Sequence, residues 1–427
     1  MDALVLLGTF GLLIILGVPI AFALGLAAIA GALWYGIPLE AVMLKISDGV
    51  DEFALLAIPF FVLAGAIMAE GGMAVRLVNL AKVFVGFIRG GLALVNVLAS
   101  TFFGCISGSS VADTASVGSV MIPQMEKNGY PRVFATTITV CGSVQAILIP
   151  PSHNAVIYSL AAGGTISIAH LFLAGVFPGL LLGVTLMVMI LAIARRQNFP
   201  KGEVVSLREA AKICLDAFWG LLTMFIILGG ILSGVFTPTE SAAVACIYAF
   251  IITMFVYRDY KWRDLPLLVA RVVRTVGMVM MLIGFAGGFG YMMALMRLPA
   301  QVTEFFLSVT SDKYLTLLLI NIMLLMLGCL MDMAPLIIIC TPILLPVAIS
   351  IGVDPIHFGM IMLVNLGIGL ITPPVGATLF VGCAVGKVPM GEMLRAIWPF
   401  YLAMLGVLAL VTYVPFFSLW LPSLLKF

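Results

Sequence analysis

A series of apolar runs constrains this chain most, because each run is about long enough to cross a bilayer. Crossing about 30 Å of hydrocarbon takes roughly 20 helical residues. Only 9% of the residues are charged and 63% are hydrophobic, whereas soluble domains carry about 25% charged residues. The sequence therefore predicts an all-α, polytopic membrane protein, and solid rather than alternating runs exclude a β-barrel. The clearest runs are 4–34, 171–194, 218–236, 242–257 and 397–414.

We interpret the first run as a membrane helix rather than a cleaved signal, because no basic region precedes it. The basic residues concentrate in two later loops, which the positive-inside rule places in the cytoplasm. Between these loops, an apolar stretch broken at Thr237-Pro238 has room for two crossings. The basic clusters are thus orientation signals rather than nucleic-acid sites. They are Arg195, Arg196, Lys201, Arg208 and Lys212, then Arg258, Lys261, Arg263, Arg271 and Arg274.

Cysteine and histidine give no sign of a transition-metal site. Seven cysteines lie in or beside apolar runs without a CxxC pair, which is typical of small core residues. His153, His170 and His357 stand far apart without a ligand spacing such as HExxH.

The chain contains a duplicated pattern. The Pro150-Pro151 break in one apolar run recurs at Pro373-Pro374, an offset of 373 − 150 = 223 residues. Four further landmarks recur in the same order at nearly the same offset, which predicts two repeats. The predicted units are a first repeat at 1–195 (hairpin 91–127, broken helix 133–162), a basic cytoplasmic connection at 196–216, and a second repeat at 217–427 (hairpin 314–351, broken helix 356–385).

Each break is preceded by an irregular polar element between two apolar arms. In the first half this element contains Ser107 to Ser110, and in the second it contains Asp332. The arm 111–125 spans about 23 Å, which is too short for a full crossing, so a re-entrant hairpin is predicted. Broken helices at matching points of two halves indicate a transporter binding site. The sequence leaves open whether the halves are parallel or inverted.

At these residues the chain resembles the large membrane subunit of tripartite ATP-independent periplasmic (TRAP) transporters. The matching segments are 106–123, 147–152, 229–245, 371–382 and 58–68. The resemblance implies two inverted repeats, an elevator-type transporter of the ion-transporter superfamily, and sodium-driven uptake at the bacterial inner membrane. It also implies a small four-helix membrane subunit and a periplasmic substrate-binding protein as partners, besides membrane lipid.

Carried over by resemblance, two sodium sites and a substrate site are expected, with Na⁺ as the only cofactor. Hydroxyl and carbonyl oxygens are the ligands that a hard cation prefers. The first sodium site would use Ser107, Gly108, Ser109, Ser110, Gly142 and Pro150. The second would use Asp332, Thr372, Pro373 and Gly376. The substrate would contact Ser152, His153, Asn154 and Thr378.

The expected substrate is an organic acid (a C4-dicarboxylate, a sugar acid or sialic acid), and segment 150–161 looks similar to the sialic-acid branch.

Other interpretations of these residues stay open at this stage. Ser107 to Ser110 could serve close helix packing, Asp113 could hold its hairpin to a neighbouring helix, and Glu240 is expected to cap a helix with Thr239. The rival functions are an intramembrane serine protease using Ser107 and His153, and a passive channel.

Overall fold

The computed structural model describes residues 2–197, 199–202, 204–310 and 312–424. Within them the chain is helical, as the composition predicts. Its α-helices are α1 (Asp2–Ile15), α2 (Ile20–Tyr35), α3 (Leu39–Val50), α4 (Ala57–Glu70), α5 (Met73–Val85), α6 (Gly91–Ser107), α7 (Ser110–Lys127), α8 (Arg132–Ser143), α9 (His153–Ala161), α10 (Ile168–Arg196), α11 (Leu207–Leu232), α12 (Pro238–Ile251), α13 (Leu265–Leu295), α14 (Leu298–Val309), α15 (Lys313–Gly328), α16 (Met333–Ser350), α17 (Pro355–Gly369), α18 (Ala377–Gly386), α19 (Met390–Tyr413) and α20 (Phe416–Leu424).

Seven helical segments of the described chain are long and apolar enough to cross a membrane. Several shorter apolar helices, including α6, α15 and α17, are too short to span the bilayer on their own. The chain is therefore a multi-pass membrane protein. The long segments are Phe53–Glu70, Ile168–Arg196, Leu207–Leu232, Pro238–Tyr257, Trp262–Leu295, Met333–Ser350 and Met390–Tyr413.

The first apolar run is two helices, so its interpretation as one membrane helix was wrong. Helix α1 ends at Ile15 and α2 begins at Ile20, and the two pack against each other. Gly17 between them has φ +80°, a conformation that favours glycine. Pro19 follows at the N-cap of α2 and has no N–H to continue the preceding helix.

Helices α11 and α12 are the predicted pair of crossings joined near Thr237-Pro238. The Tyr248 hydroxyl donates to the Trp219 carbonyl at 2.7 Å, and the Tyr257 hydroxyl donates to Asp216 O at 2.6 Å. The end of α12 and the π-helical segment after it therefore lie beside the start of α11. Both connect to basic loops, in agreement with the charge pattern.

Glu240 caps α12, as predicted, but its partner is Thr237 rather than Thr239. The Thr237 hydroxyl accepts from Glu240 N, and the Glu240 carboxylate accepts from Thr237 N at 2.8 Å. This reciprocal capping box needs three residues of separation. Thr239 instead donates to the Phe53 carbonyl at 3.2 Å.

The order of helices repeats along the chain. Helices α5 to α10 have counterparts of similar length in α14 to α19, each displaced by about the offset found between the proline pairs. In both series a short helix leads into two packed helices, then into an interrupted pair. We call α6–α7 and α15–α16 the first and second hairpins, and α8–α9 and α17–α18 the first and second broken helices.

Buried hydrogen bonds join each hairpin to the broken helix of its own half. In the first half, Asn96 of α6 donates to the Thr139 hydroxyl of α8 at 2.7 Å. In the second, Asn365 of α17 donates to the Asn321 side-chain oxygen of α15 at 2.7 Å. All four side chains are buried. Such buried polar contacts help to fix the geometry of an apolar interior, so each hairpin packs with its broken helix as one body.

The second hairpin and the second broken helix also touch through backbone. A Cβ added at Gly369 would lie 2.8 Å from the Gly328 Cα, closer than real Cβ atoms approach. Glycine at both positions permits this contact, because any side chain would push the two elements apart.

We expect Gly369→Ala to lower the free energy of unfolding by about 1–3 kcal/mol, the usual cost of overpacking. Gly290→Ala is the matched control, because no atom lies within 4 Å of its added Cβ. Thermal unfolding of both purified variants measures the difference. Equal midpoints for the two variants would contradict this close packing.

Candidate functional site

The tip of the first hairpin is a glycine turn between serines. Helix α6 ends at Ser107, Gly108 has φ +57°, and the Ser109 hydroxyl caps α7 by accepting from Ala112 N at 3.4 Å. A Cβ on Gly108 would lie 2.5 Å from the Pro151 carbonyl oxygen. Glycine is thus required both for the turn and for the contact, which places the tip against the first break.

The first break frees backbone carbonyls inside the protein. Helix α8 ends at Ser143, one 3₁₀ turn follows, and α9 begins at His153. Pro150 and Pro151 have no N–H, so the carbonyls four residues earlier lose their helical donors. The Ser152 hydroxyl is buried at the start of α9 and has no hydrogen-bond partner among the residues that the structure describes. The break therefore presents oxygen atoms that a ligand could satisfy.

The second break is closed more completely by its own neighbours. The Leu370 carbonyl accepts from Thr378 N at 3.1 Å, which bridges the gap between α17 and α18. The Thr372 hydroxyl donates to Ile368 O at 2.7 Å, and the Tyr401 hydroxyl of α19 donates to Ile371 O. Buried Gly376 immediately precedes α18.

The tip of the second hairpin lies on the second break. Val375 N donates to the Cys329 carbonyl at 3.0 Å, which brings the turn before Asp332 to the segment holding Thr372, Pro373 and Gly376. Asp332 occupies the N-cap of α16, but its carboxylate makes no capping hydrogen bond. Its side chain is exposed at the tip. An exposed carboxylate beside interrupted backbone can bind a cation.

The two halves meet through one hydrogen bond between predicted site residues. The Ser110 and Thr378 hydroxyls are both buried and lie 2.7 Å apart. Ser110 was predicted for the first sodium site and Thr378 for the substrate, so the structure brings together one residue from each predicted site. Whole helices also pack across the halves: α18 of the second broken helix packs on α7 of the first hairpin, and α9 of the first broken helix packs on α16 of the second hairpin.

The two broken helices run in opposite directions. Arg132, at the start of the first, donates to the Gly386 carbonyl at the end of the second at 2.6 Å. Tyr158, near the end of the first, donates to Pro355 O at the start of the second at 2.6 Å. The helix ends that flank the breaks therefore converge near the middle of the protein.

Asp113 is the residue whose importance the sequence pattern did not resolve. It lies in the first turn of α7, is fully buried, and neither carboxylate oxygen has a hydrogen-bond partner in the described chain. The Ser100 hydroxyl lies close enough to interact with this carboxylate, and in the described chain the buried Ser100 and Thr114 hydroxyls make no hydrogen bond of normal geometry. Burying a carboxylate is costly unless it is paired, so this cluster lacks a ligand or a proton. The available signal was a lone carboxylate close behind the serines.

Other predicted site residues lie farther from the tips. A Cβ on Gly142 would lie 3.7 Å from the Ser100 hydroxyl, so Gly142 faces the Asp113 cluster rather than Ser107 to Ser110. His153 is half-buried at the start of α9 and Asn154 is buried beside it. No group of three or more His, Cys, Asp or Glu in the described chain could hold a metal ion.

A family model matches almost the whole chain. The model of the DctM component of the tripartite ATP-independent periplasmic transporters matches residues 7–417. The chain belongs to this family. It is therefore a transporter permease and not an enzyme, and the large permease of a TRAP system works with a small membrane subunit and a periplasmic binding protein.

Curated relatives carry names for different substrates. The chain is 38% identical to a C4-dicarboxylate TRAP transporter large permease of Rhodobacter capsulatus, over 100% of both chains. It is 38% identical to a sialic acid TRAP transporter large permease of Vibrio cholerae, over 98% of this chain and 97% of the relative. It is 40% identical to an isethionate TRAP transporter permease, DctMQ, of Oleidesulfovibrio alaskensis, over 96% of this chain and 65% of that relative.

A solved structure shares the fold. The crystal structure of the Alcanivorax borkumensis YdaH transporter superimposes with a TM-score of 0.63 over 88% of each chain. The sequence identity is 14%, so the likeness concerns the fold alone.

The contact between the halves can be measured with a double-mutant cycle. We expect Ser110→Ala and Thr378→Val each to lower the unfolding midpoint, because each leaves a buried hydroxyl or its partner unsatisfied. The double variant should be no worse than either single one, giving a coupling of about 1 kcal/mol. Strictly additive effects would show that the two hydroxyls do not interact.

Proposed function

We propose that this chain drives sodium-coupled secondary uptake of an organic acid across a bacterial inner membrane. The observation that carries the proposal is the set of oxygen groups at the two breaks. Among the described residues, the Ser152 hydroxyl and the Asp113 carboxylate are buried without a hydrogen bond of normal geometry, and the Asp332 carboxylate beside the second break makes no capping hydrogen bond. Hydroxyls, carbonyls and carboxylates are the ligands that a hard cation prefers.

The first proposed sodium site lies where the Ser107–Ser110 tip contacts the first break. Gly108 touches the Pro151 carbonyl there, so hydroxyl and carbonyl oxygens share one small volume. The second lies where the Asp332 tip contacts the second break, which the Cys329–Val375 hydrogen bond holds in place. Sodium at either position would offset the charge of an anionic substrate inside the membrane.

The substrate would bind between these sites. Ser110 and Thr378 join the sites, and the N-termini of α9 and α18 begin next to the breaks. Helix N-termini attract anions through their free N–H groups and dipoles. The relatives' names include a C4-dicarboxylate, isethionate and sialic acid, so the proposal commits to an acid and leaves sialic acid as one candidate.

The movement we propose is of the elevator type, with two inverted repeats. The opposite directions of the broken helices support inversion. The buried Asn96–Thr139 and Asn321–Asn365 hydrogen bonds support hairpins and broken helices that move as one body. A cavity of about 400 Å³ separates α3 and α13 from α9 and α16, which supports a sliding boundary at that place.

We expect Asp332→Asn to reduce sodium-dependent uptake at least about tenfold, because cation affinity depends strongly on ligand charge. Glu304→Gln is the control, since Glu304 is an exposed carboxylate on α14. Uptake is measured in proteoliposomes holding this chain with its small subunit, with binding protein and labelled acid outside. An inward sodium gradient is switched on or off. Full activity of Asp332→Asn at matched insertion would contradict the second sodium site.

Asp113→Asn provides a test that separates function from folding. The amide keeps the shape but removes the buried charge, so the unfolding midpoint should stay or rise. Uptake should fall at least about tenfold if the carboxylate serves a cation. Loss of stability together with uptake would instead assign Asp113 a structural role.

A further inference from the structure

A cavity of about 770 Å³ lies beside α5, away from the breaks. Its walls are α5, the first turns of α11 and the π-helical segment Ile252–Tyr257. Polar and apolar groups both line it, including Lys82, Lys212, Trp219 and Val256. Its position next to the two basic loops assigns it to the cytoplasmic face of the membrane.

Lys82 is the central cation of this cavity. It is half-buried in the last turn of α5, and its ammonium group makes no ion pair or hydrogen bond with any described residue. Burial lowers the pKa of the Lys82 ammonium. Lys82 also lines a neighbouring cavity of about 490 Å³, shared with Lys127 of the first hairpin. The Lys82 ammonium group is therefore a cation that no described carboxylate neutralises.

The other charges in the wall are mostly neutralised. Asp216 pairs with Arg76 at 3.2 Å, and Arg76 also pairs with Asp259 at 2.6 Å while stacking on the Tyr257 ring. Glu209 also lines the cavity and has no ion pair among the described residues, so its negative charge would repel an anion bound there. In the wall of this cavity, Lys82 and Lys212 thus outnumber the one carboxylate, Glu209, that has no ion pair among the described residues.

The remaining lining suits a lipid. Trp219 is partly exposed beside Tyr257, and such rings sit at the level of lipid headgroups. Val205, Ile213 and Leu215 add apolar surface on the same wall. Basic pockets between helices on the cytoplasmic side bind anionic headgroups.

We propose that this cavity binds the phosphate headgroup of an anionic phospholipid from the cytoplasmic leaflet, through Lys82 and Lys212. The bound lipid contacts α5, which joins α4 to the first hairpin. If the first hairpin moves as proposed above, the bound lipid holds the connecting helix in place during that movement; lipid binding itself does not require the movement. The proposal does not depend on sodium coupling or on the substrate.

The test is native mass spectrometry of the full chain, purified with its small subunit in a mild detergent containing phosphatidylglycerol. A Lys82→Gln/Lys212→Gln double variant should retain roughly twentyfold less lipid, since each lysine near an anionic headgroup contributes about fivefold. Lys261→Gln/Arg263→Gln removes two exposed charges outside the cavity and should retain lipid as the unmodified chain does.

A third variant guards against misfolding as the explanation. Glu209→Gln removes the opposing charge and should increase lipid retention, a gain that misfolding cannot produce. Equal retention by the Lys82/Lys212 double variant and the unmodified chain would overturn the proposal. So would displacement of the lipid by inorganic phosphate alone, because the cavity would then be a site for free anions.

Discussion

The structure depends on interrupting the backbone of two helices inside the membrane. Lipid offers no hydrogen bonds, so backbone groups freed at such a point must be satisfied by protein, by trapped water or by a ligand. Pro150-Pro151 and Pro373-Pro374 enforce the interruption, because proline has no N–H to give. The residues packed around the breaks determine how many of the freed backbone groups are satisfied by the protein itself.

The two breaks differ in how far the protein itself satisfies their polar groups. At the second, Thr378 N and the Tyr401 hydroxyl return donors to Leu370 and Ile371. At the first, buried Ser152 keeps an unpartnered hydroxyl, and the Asp113 carboxylate is buried without a partner behind the hairpin tip. The first half therefore leaves more buried polar groups without a hydrogen bond, and a ligand would satisfy more of them there than in the second half. The Ser110–Thr378 hydrogen bond couples the halves, so occupancy of one break can influence the other.

The sequence predicted those features that local chemistry determines. The proline pairs, the Ser107–Ser110 turn and the Glu240 cap act within a few residues, and the nearly constant offset between the halves matches the repeated order of helices. Contacts between residues far apart in the sequence could not be predicted from local chemistry. Nothing local pairs Ser110 with Thr378, which are 268 residues apart. Burial of Asp113 without a partner likewise depends on how three helices pack, and the division of run 4–34 depends on the conformation of Gly17.

Sodium binding at the two breaks is the step on which the proposed transport depends. Equilibrium binding of radioactive sodium to the purified chain, against a choline background, tests it most directly. The account predicts saturable binding that falls in Asp332→Asn and in Ser107→Ala, with the remaining site still occupied in each variant. Absence of saturable sodium binding in a folded chain, or binding in both variants equal to that of the unmodified chain, would contradict it.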